Sequence, residues 1–251
     1  MKRKKWLASI ATLGCVILSL LPVGYLIIGC IQNSHGFQKV YFENPFTLYR
    51  FWNSLLICAA ITAGHMVISC WGGYALAKFP IPGKRGITVA LVILLILPLQ
   101  VTLVPNYLIL RYLNLLDTIW ALILPSVFSP FGTVVMWMIF RAVSDDLLDA
   151  ARLDGAGDHQ ILWRILLPAG KGGAASVLLL TFIDAWNMVE QPMVFLSKTA
   201  NYPISVFLAS VNLENIPLSF HGGLLAMLPV ALLLAYLRQE LVVGAELTSG
   251  K

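Results

Sequence analysis

Five long stretches of this chain contain no Asp, Glu, Lys or Arg, and they constrain its fold more than any other feature. Each stretch is at least as long as the roughly 20 residues that an α-helix needs to cross the hydrocarbon core of a bilayer. Only helices and closed barrels satisfy their backbone hydrogen bonds inside lipid, and these runs lack the alternation of barrel strands. The five stretches are 7–34, 51–77, 86–110, 118–140 and 215–237.

A sixth apolar stretch, 172–197, is interrupted only by Asp184 and Glu190. Charged residues make up 12% of the chain, too few to cover the surface of a water-soluble domain. We therefore predict an all-α integral membrane protein with six transmembrane helices in one domain over residues 1–251. The expected spans are about 7–31, 51–77, 86–110, 118–140, 172–197 and 217–238, with a cytoplasmic loop at 141–171.

The basic residues are divided unequally between the segments that connect these spans. If the N-terminus is cytoplasmic, 13 of the 17 Lys and Arg residues lie on the cytoplasmic side, and only Lys39, Arg50, Arg111 and Lys198 lie outside. The positive-inside rule therefore predicts that both termini are cytoplasmic. Because this asymmetry accounts for the net charge of +5, the basic character does not require nucleic-acid binding.

The reactive side chains form no recognisable catalytic or metal-binding pattern. The four histidines are scattered, and the sequence contains neither GxSxG nor HExxH. Cys15, Cys58 and Cys70 lie inside expected spans, where we interpret them as small core residues. Residues 1–30 loosely resemble a lipoprotein signal that ends at Cys30, but we favour an uncleaved first helix. We expect no catalytic, cofactor-binding or metal-binding residues in this chain.

The third expected span contains Pro98 and Pro105, which predict a kinked or broken helix. A kink that serves only packing is common in membrane helices. An unwound stretch that lines a path through the membrane fits the same residues. The sequence leaves both interpretations open.

Loop 141–171 is too polar to span a membrane and too regular in pattern to be a simple linker. Ser144 is placed to cap a helix whose first turn holds Asp145 and Asp146. Gly155 and Gly157 then allow a turn, and a second amphipathic stretch over 161–167 ends at Pro168. We expect the apolar side of the first helix to comprise Leu147, Leu148, Ala151 and Leu153. Two short helices that expose apolar residues to the cytoplasm should bind a partner.

This loop carries the most specific pattern in the chain. Asp149-Ala150-Ala151, Gly155, Ile165 and Leu167-Pro168 are spaced as in the EAA loop of ABC importer permeases. Residues 150–156 read AARLDGA, which resembles the carbohydrate-importer branch of that family. Shorter pieces in the same order agree: NSLL at 53–56, GYALAKF at 73–79, and WN at 186–187 followed by Pro192. The chain resembles the smaller, six-helix permease subunit of maltose-type importers, within the binding-protein-dependent transport inner-membrane family.

Three departures from the family pattern stand out. Asp149 replaces the usual Glu and keeps its charge, and Leu162 replaces a usual aromatic residue. Glu190 and Gln191 replace the apolar residues that usually precede Pro192. The last departure leaves the identity of the substrate open.

The resemblance implies the type I ABC importer permease fold in the inner membrane of a bacterium. The chain would then form half of the translocation path for a carbohydrate, most simply an oligosaccharide. The implied partners are a second homologous permease subunit in a heterodimer, two ATPase subunits and an extracytoplasmic solute-binding protein. ATP and Mg²⁺ would be used by the ATPase subunits, in agreement with the absence of a GxxxxGK[ST] loop here. The chain itself would not be an enzyme.

The resemblance also implies that loop 141–171, which we call the coupling loop, binds an ATPase subunit. The expected docking residues are Asp149, Ala150, Ala151, Asp154, Gly155, Ala156, Leu162, Ile165 and Pro168.

Candidates for the substrate path lie in the fifth span, because ionisable groups within a membrane are costly and usually face an interior cavity. Asp184, Asn187 and Gln191 are three and four residues apart, so a continuous helix would place them on one face. Trp186 and Glu190 would share a neighbouring strip, with Trp186 available to stack on a sugar ring. Helix–helix hydrogen bonds, or a polar lid at the outer mouth, explain the same residues without substrate contact.

Other functions remain as alternatives at this point. The chain could be an ABC permease for another small polar solute. A secondary transporter is a weaker alternative, because no inverted repeat is evident. An intramembrane enzyme lacks the constellation of reactive groups that catalysis requires.

Overall fold

The computed structural model describes residues 2–38, 45–210 and 216–248, and every regular element among them is helical. The predicted all-α fold class is therefore confirmed. The α-helices are α1 Lys2–Gln32, α2 His35–Gln38, α3 Pro45–Lys78, α4 Lys84–Ile96, α5 Leu99–Tyr112, α6 Trp120–Val127, α7 Pro130–Arg141, α8 Asp145–Leu153, α9 Asp158–Ile161, α10 Leu167–Ala169, α11 Lys171–Trp186, α12 Glu190–Phe195, α13 Ile204–Ser210 and α14 Ile216–Thr248. A π-helix covers Leu162–Leu166, and a 3₁₀ turn covers Thr199–Asn201.

Four helical segments in the described ranges are long and apolar enough to cross a membrane. They are Thr12–Gln32, Phe46–Lys78, Trp120–Arg141 and Ser219–Val242, and each overlaps one of the expected spans. Two sharply bent pairs of helices bring the number to six if each pair counts as one span. The bend is 106° between α4 and α5, and 88° between the helical segment 158–169 and α11.

The predicted break in the third span lies at Pro98. Leu97 and Pro98 both have extended backbone, with ψ of 130° and 146°. This conformation is expected because a proline disfavours helical geometry in the residue before it. Pro105, in contrast, lies inside α5 without a break. The two halves have 13 and 14 residues, so neither alone reaches the length of a membrane span.

The expectation of one helix over 172–197 is wrong. Helix α11 ends at Trp186, and α12 begins only at Glu190. Asn187 is the C-cap of α11, where its side chain and its backbone N–H both donate to the Ile183 carbonyl, at 2.9 and 3.0 Å. Pro192 lacks the N–H group that a continuing helix would need at that position. Consequently, Asp184, Asn187 and Gln191 do not share the face of a single helix.

Helix α3 lies at the centre of the packing and contacts α6, α7 and α11. Its closest approach is to α7, where small residues let the two backbones meet. A Cβ atom at Gly73 would lie 2.8 Å from the backbone carbonyl carbon of Met136, a distance that no side chain tolerates. A Cβ atom at Gly132 would collide with the side chains of His65 and Ser69. Glycine at these positions therefore sets the spacing of the two helices.

Candidate coupling loop and translocation cavity

The coupling loop is anchored to the transmembrane helices by four leucine and isoleucine side chains. Leu148 is 1% exposed, and Ile161, Leu162 and Leu166 are fully buried. They belong to one core cluster with residues of α3, α7 and α11, namely Cys70, Tyr74, Met136, Phe140, Ala174 and Val177. We call these four residues the base of the loop. Burial of this kind fixes the loop to its own chain before any partner binds.

Polar contacts add to this anchoring. The Tyr74 hydroxyl of α3 donates a hydrogen bond to the Asp158 carboxylate at 2.7 Å. The Lys78 ammonium, at the end of the same helix, is 2.7 Å from the Asp145 carboxylate. This hydrogen bond and charge lower the pKa of the Asp145 carboxyl below its ordinary value of 3.8. The first residue of α8, Asp145, and the first residue of α9, Asp158, are thereby both held to α3.

Gly155 terminates α8 in a way that few other residues permit. Its φ is +86°, in the left-handed region. The Gly155 N–H donates to the Arg152 carbonyl at 3.0 Å, and the Ala156 N–H donates to the Ala151 carbonyl at 2.9 Å. This pair of bonds is the Schellman arrangement, which satisfies the last carbonyls of a helix. A Cβ atom at Gly155 would meet nothing within 4 Å in this chain, so the requirement is conformational.

Beyond the base, the loop presents an exposed surface that we call its tip: Asp149, Ala150, Leu153, Asp154 and Gly155. Leu153 is 90% exposed, which is unusual for a leucine. Asp149 pairs at 3.2 Å with Arg152 on its own helix, and both side chains remain open to solvent. Among the described residues, no hydrogen bond or ion pair holds the Asp154 carboxylate. The tip is therefore free to bind another molecule.

The sequence did not identify Leu153 as a docking residue. We expected Leu148 and Leu153 on one apolar side of the helix, and this is wrong. They are five positions apart in the sequence, which places them about 140° apart around an α-helix. Leu153 instead follows Ala150 by three residues and Asp149 by four, and so shares their face. This spacing in the sequence would have been enough to identify Leu153 as a docking residue.

The remaining expected docking residues divide between the base and the surface. Leu162 is fully buried in the chain's own core, Ile165 is half-buried, and Pro168 is exposed. Ala151 and Ala156 are both half-buried beside the turn. The second helical stretch runs one residue past its expected end at Pro168, to Ala169. The π-helix Leu162–Leu166 ends two residues before Pro168, and so covers the turn that the proline ring would disturb in a regular α-helix.

Ser144 is at the N-cap position of α8, but its side chain makes no capping hydrogen bond, contrary to our expectation. Beside it, the Lys78 ammonium donates hydrogen bonds to the Val143 carbonyl and to the Asp145 carboxylate.

A cavity of about 860 Å³ lies where three breaks in the helices meet. The breaks are those between α4 and α5, between α6 and α7, and between α11 and α12. Irregular backbone at membrane depth is tolerated where it is covered by protein or lines a water-filled cavity. The polar residues that line it are His65, Thr102, Asn106, Ser126, Ser129, Thr181, Asp184 and Gln191. The broken third span thus lines a cavity, and a path through the membrane at this break stays a prediction.

His65 bridges the break between α6 and α7. Its Nε2 accepts a hydrogen bond from the Gly132 N–H at 3.2 Å, so the proton lies on Nδ1, which donates to the Val127 carbonyl at 3.1 Å. The Val127 carbonyl is at the end of α6, and the Gly132 N–H is in the first turn of α7. Both groups lack partners within their helices. His65 is therefore a structural residue of the cavity wall in its neutral form.

The structure brings together two of the five expected path residues. Asp184, from α11, and Gln191, from α12, both line the cavity. Asn187 is exposed but is absent from the lining, and its amide is bonded to its own helix. Glu190 accepts two hydrogen bonds from the Gln100 amide, at 3.0 and 3.1 Å, which tie the start of α12 to the start of α5.

Trp186 lies inside the protein and is only 4% exposed. Its ring stacks on the Phe182 ring with a centroid distance of 5.8 Å. It also makes a T-shaped contact with the Phe51 ring, with a centroid distance of 5.7 Å. Its indole N–H donates to the Ala226 carbonyl at 3.0 Å. Both the ring and its polar group are thus occupied within this chain. This geometry does not favour the stacking of a sugar on Trp186.

Residues 1–241 match the family model described as the inner membrane component of binding-protein-dependent transport systems. The chain belongs to this family. It is accordingly a transport subunit of the inner membrane and not an enzyme.

Two permease proteins illustrate the range of relatives. The chain is 24% identical to the arabinooligosaccharide transport permease AraQ of Halalkalibacterium halodurans, over 97% of both chains. It is 34% identical to the sn-glycerol-3-phosphate transport permease UgpE of Yersinia enterocolitica, over 62% of this chain. In that second comparison the chain spans only 55% of the relative's length.

Among solved structures, the chain resembles a subunit of a bacterial ABC transporter involved in the import of the acidic polysaccharide alginate. The TM-score is 0.80, with 22% sequence identity, over 94% of this chain and 96% of that one. At this identity the likeness shows the shared fold.

Proposed function

We propose that this chain forms half of the translocation path of an ATP-driven carbohydrate importer. The observation that carries this proposal is the division of the coupling loop into a buried base and an exposed tip. A loop that only connected two helices would need neither four buried anchors nor a leucine that is 90% exposed. The rigid base can transmit a displacement of the tip to α3, α7 and α11, the helices against which it is packed.

The proposed partner at the tip is one of two ATPase subunits, which use ATP and Mg²⁺. Asp149, Ala150, Leu153, Asp154 and Gly155 are the contact residues. The small Ala150 permits close approach, and the carboxylates can accept charge-assisted hydrogen bonds from the ATPase. A second homologous permease subunit completes the path, and an extracytoplasmic binding protein delivers the solute.

The choice of a carbohydrate is supported by the names of the relatives. AraQ is named for arabinooligosaccharides, and a second solved structure contains the alginate transporter with an alginate pentasaccharide-bound periplasmic protein. UgpE is named for sn-glycerol-3-phosphate, which keeps another small polar solute as the second candidate. We propose six spans in one domain with both termini cytoplasmic, because this arrangement puts the coupling loop on the side where ATP is available.

Substitution of Gly155 tests the coupling role. Gly155→Leu should leave the protein inserted in the membrane, because the position is exposed and meets nothing in its own chain. It should abolish ATP-driven uptake of labelled oligosaccharides by the assembled importer and weaken co-purification of the ATPase. Gly157→Ala is the matched control, since Gly157 has a φ of −80° that other residues adopt readily.

A third variant separates the two reasons why Gly155 matters. Asn tolerates left-handed backbone better than other side chains. If the backbone conformation is the requirement, Gly155→Asn should retain much of the uptake, whereas a need for clearance against the ATPase would make it as inactive as Gly155→Leu. Normal uptake with a normally bound ATPase in Gly155→Leu would show that the loop is not the site of coupling.

A further inference from the structure

The cavity at the three helix breaks contains a carboxylate and no basic side chain. Asp184 lines it from α11, and none of the described residues in the lining is Lys or Arg. His65 contributes no positive charge, because its Nε2 accepts the Gly132 N–H and the ring is neutral. The lining therefore carries a net negative charge.

The rest of the lining combines hydroxyl and amide groups with apolar side chains. Thr181 precedes Asp184 by one helical turn, is 9% exposed, and its hydroxyl has no hydrogen-bond partner among the described residues. Further polar groups come from Thr102 and Asn106 of α5 and from Ser129 between α6 and α7. Leucines of α4 and α5 lie beside them in the lining. Sugars, which carry hydroxyl groups around apolar C–H faces, suit a surface of this composition.

Building on the proposed function, we propose that this cavity admits neutral or amine-bearing oligosaccharides and disfavours anionic ones, with Asp184 as the residue that sets the selectivity. A carboxylate in a confined site repels an anion more strongly than it would in bulk water, because the effective dielectric constant is lower. The same carboxylate accepts hydrogen bonds from sugar hydroxyls and, more strongly, from an ammonium group. Glu190, the residue before Gln191, lies outside the lining and accepts hydrogen bonds from the Gln100 amide, so Asp184 is the carboxylate of the cavity itself.

The proposal can be tested without knowledge of the natural solute. A cysteine is introduced by Ser129→Cys in the assembled importer, at a cavity position between α6 and α7. Its reaction rate is measured with two methanethiosulfonate reagents of similar size, one bearing a trimethylammonium group and the other a sulfonate. The ratio of the two rates, divided by the ratio for a free thiol in solution, reports the charge preference of the cavity and cancels the ionisation of the thiol itself.

We expect the cationic reagent to be favoured by at least roughly tenfold, because a single carboxylate about 6 Å away would produce that ratio even at the dielectric constant of bulk water. Asp184→Asn keeps the shape of the side chain and should remove most of this preference. Asp146→Asn is the matched control, because it removes the same charge from the exposed surface of α8, away from the cavity, and should leave the preference unchanged. Protein without the introduced cysteine gives the background rate.

Equal rates, or a preference for the sulfonate, would overturn the proposal. A preference that survives Asp184→Asn would also overturn it, since the charge would then come from elsewhere. Failure of both reagents to react, with and without ATP, would show that the cavity is not open to solutes. Failure of the proposed function is distinguishable from all of these, because it would appear as the absence of ATP-driven sugar uptake by the wild-type importer.

Discussion

The coupling loop and the cavity differ in where their side chains find partners. At the base of the loop, Leu148, Ile161, Leu162 and Leu166 are buried against three helices of the same chain. In the cavity, Asp184 and Gln191 face open space, and no described residue of this chain neutralises the Asp184 carboxylate. The base of the loop is therefore packed within this chain, whereas the polar groups of the cavity are open to other molecules. Substitutions in the two regions should consequently fail in different ways.

The largest expected effect on stability is at the base of the loop. Leu162→Ala removes a fully buried side chain and leaves a cavity in the core cluster that also contains Tyr74 and Phe140, so it should cost about 3 kcal/mol of unfolding free energy. Leu153→Ala, at the tip, should change it by less than about 0.5 kcal/mol. Thermal unfolding of the purified permease measures both. Equal destabilisation by the two variants would remove the distinction between base and tip.

The cavity should show the opposite behaviour. Asp184 lines the cavity, whereas Glu190 lies outside the lining and accepts hydrogen bonds from Gln100. Leu at both positions should leave membrane abundance nearly unchanged and cost no more than about 1 kcal/mol of unfolding free energy, because both side chains are exposed. Uptake should fall by about tenfold, the effect of one lost polar contact worth about 1.4 kcal/mol. Asp184→Asn and Glu190→Gln, which keep hydrogen-bonding groups, are the conservative controls. Unchanged uptake in the double Leu variant would leave these residues with a packing role alone.

A smaller effect is expected where the loop is held to α3 by a hydrogen bond. Tyr74→Phe keeps the buried ring and removes only the hydroxyl that donates to Asp158. The loss should be about 1 kcal/mol, because the half-exposed carboxylate can bond to water instead. Chemical unfolding of wild type and variant in the same detergent measures it. A loss as large as that of Leu162→Ala would mean that the polar contact, and not the apolar base, anchors the loop.

The smallest effect concerns Asp117, in the turn between α5 and α6. Its carboxylate accepts hydrogen bonds from the Lys198 and Ser197 N–H groups, at 3.1 and 3.0 Å, and these bonds lower the pKa of Asp117 below its ordinary value of 3.8. A lowered pKa in the folded state stabilises the protein above pH 3.8, and the stabilisation disappears as the pH falls through the lowered value.

Asp117→Asn should therefore lower the melting temperature slightly at pH 7, and the difference from wild type should shrink below about pH 3.8. Melting curves over this pH range provide the measurement. Because the carboxylate is only half-buried and remains accessible to water, the effect should remain smaller than that of Tyr74→Phe. A difference that grew as the pH fell would contradict the assigned direction of the pKa shift.

The same contrast explains how much could be predicted from the sequence. The coupling loop is built from consecutive residues, so the positions of its two helices and the glycine turn at Gly155 followed from local pattern. The faces of α8 were assigned wrongly, because composition alone does not distinguish the buried Leu148 from the exposed Leu153. The spacing of the two leucines does distinguish them, once α8 is known to pack against the transmembrane helices.

The cavity depends on residues that lie far apart in the sequence, and prediction was correspondingly weaker there. Pro98 marked one break correctly. The break after Trp186 was missed, because the run 172–197 is apolar enough to suggest a continuous helix. The role of His65 in joining Val127 to Gly132 could not be predicted either, because it depends on long-range packing that no local pattern encodes.

The most direct test of the coupling loop compares the reactivity of its base and its tip in the presence of the ATPase. Leu153→Cys and Leu162→Cys are each made in a permease whose four native cysteines have been replaced by alanine. In the isolated permease, a water-soluble maleimide should label the cysteine at 153 rapidly and the one at 162 hardly at all. Binding of the ATPase should protect position 153 strongly and leave position 162 unreactive as before. Labelling of Leu153→Cys at the same rate with and without bound ATPase would contradict the assignment of the tip as the docking surface.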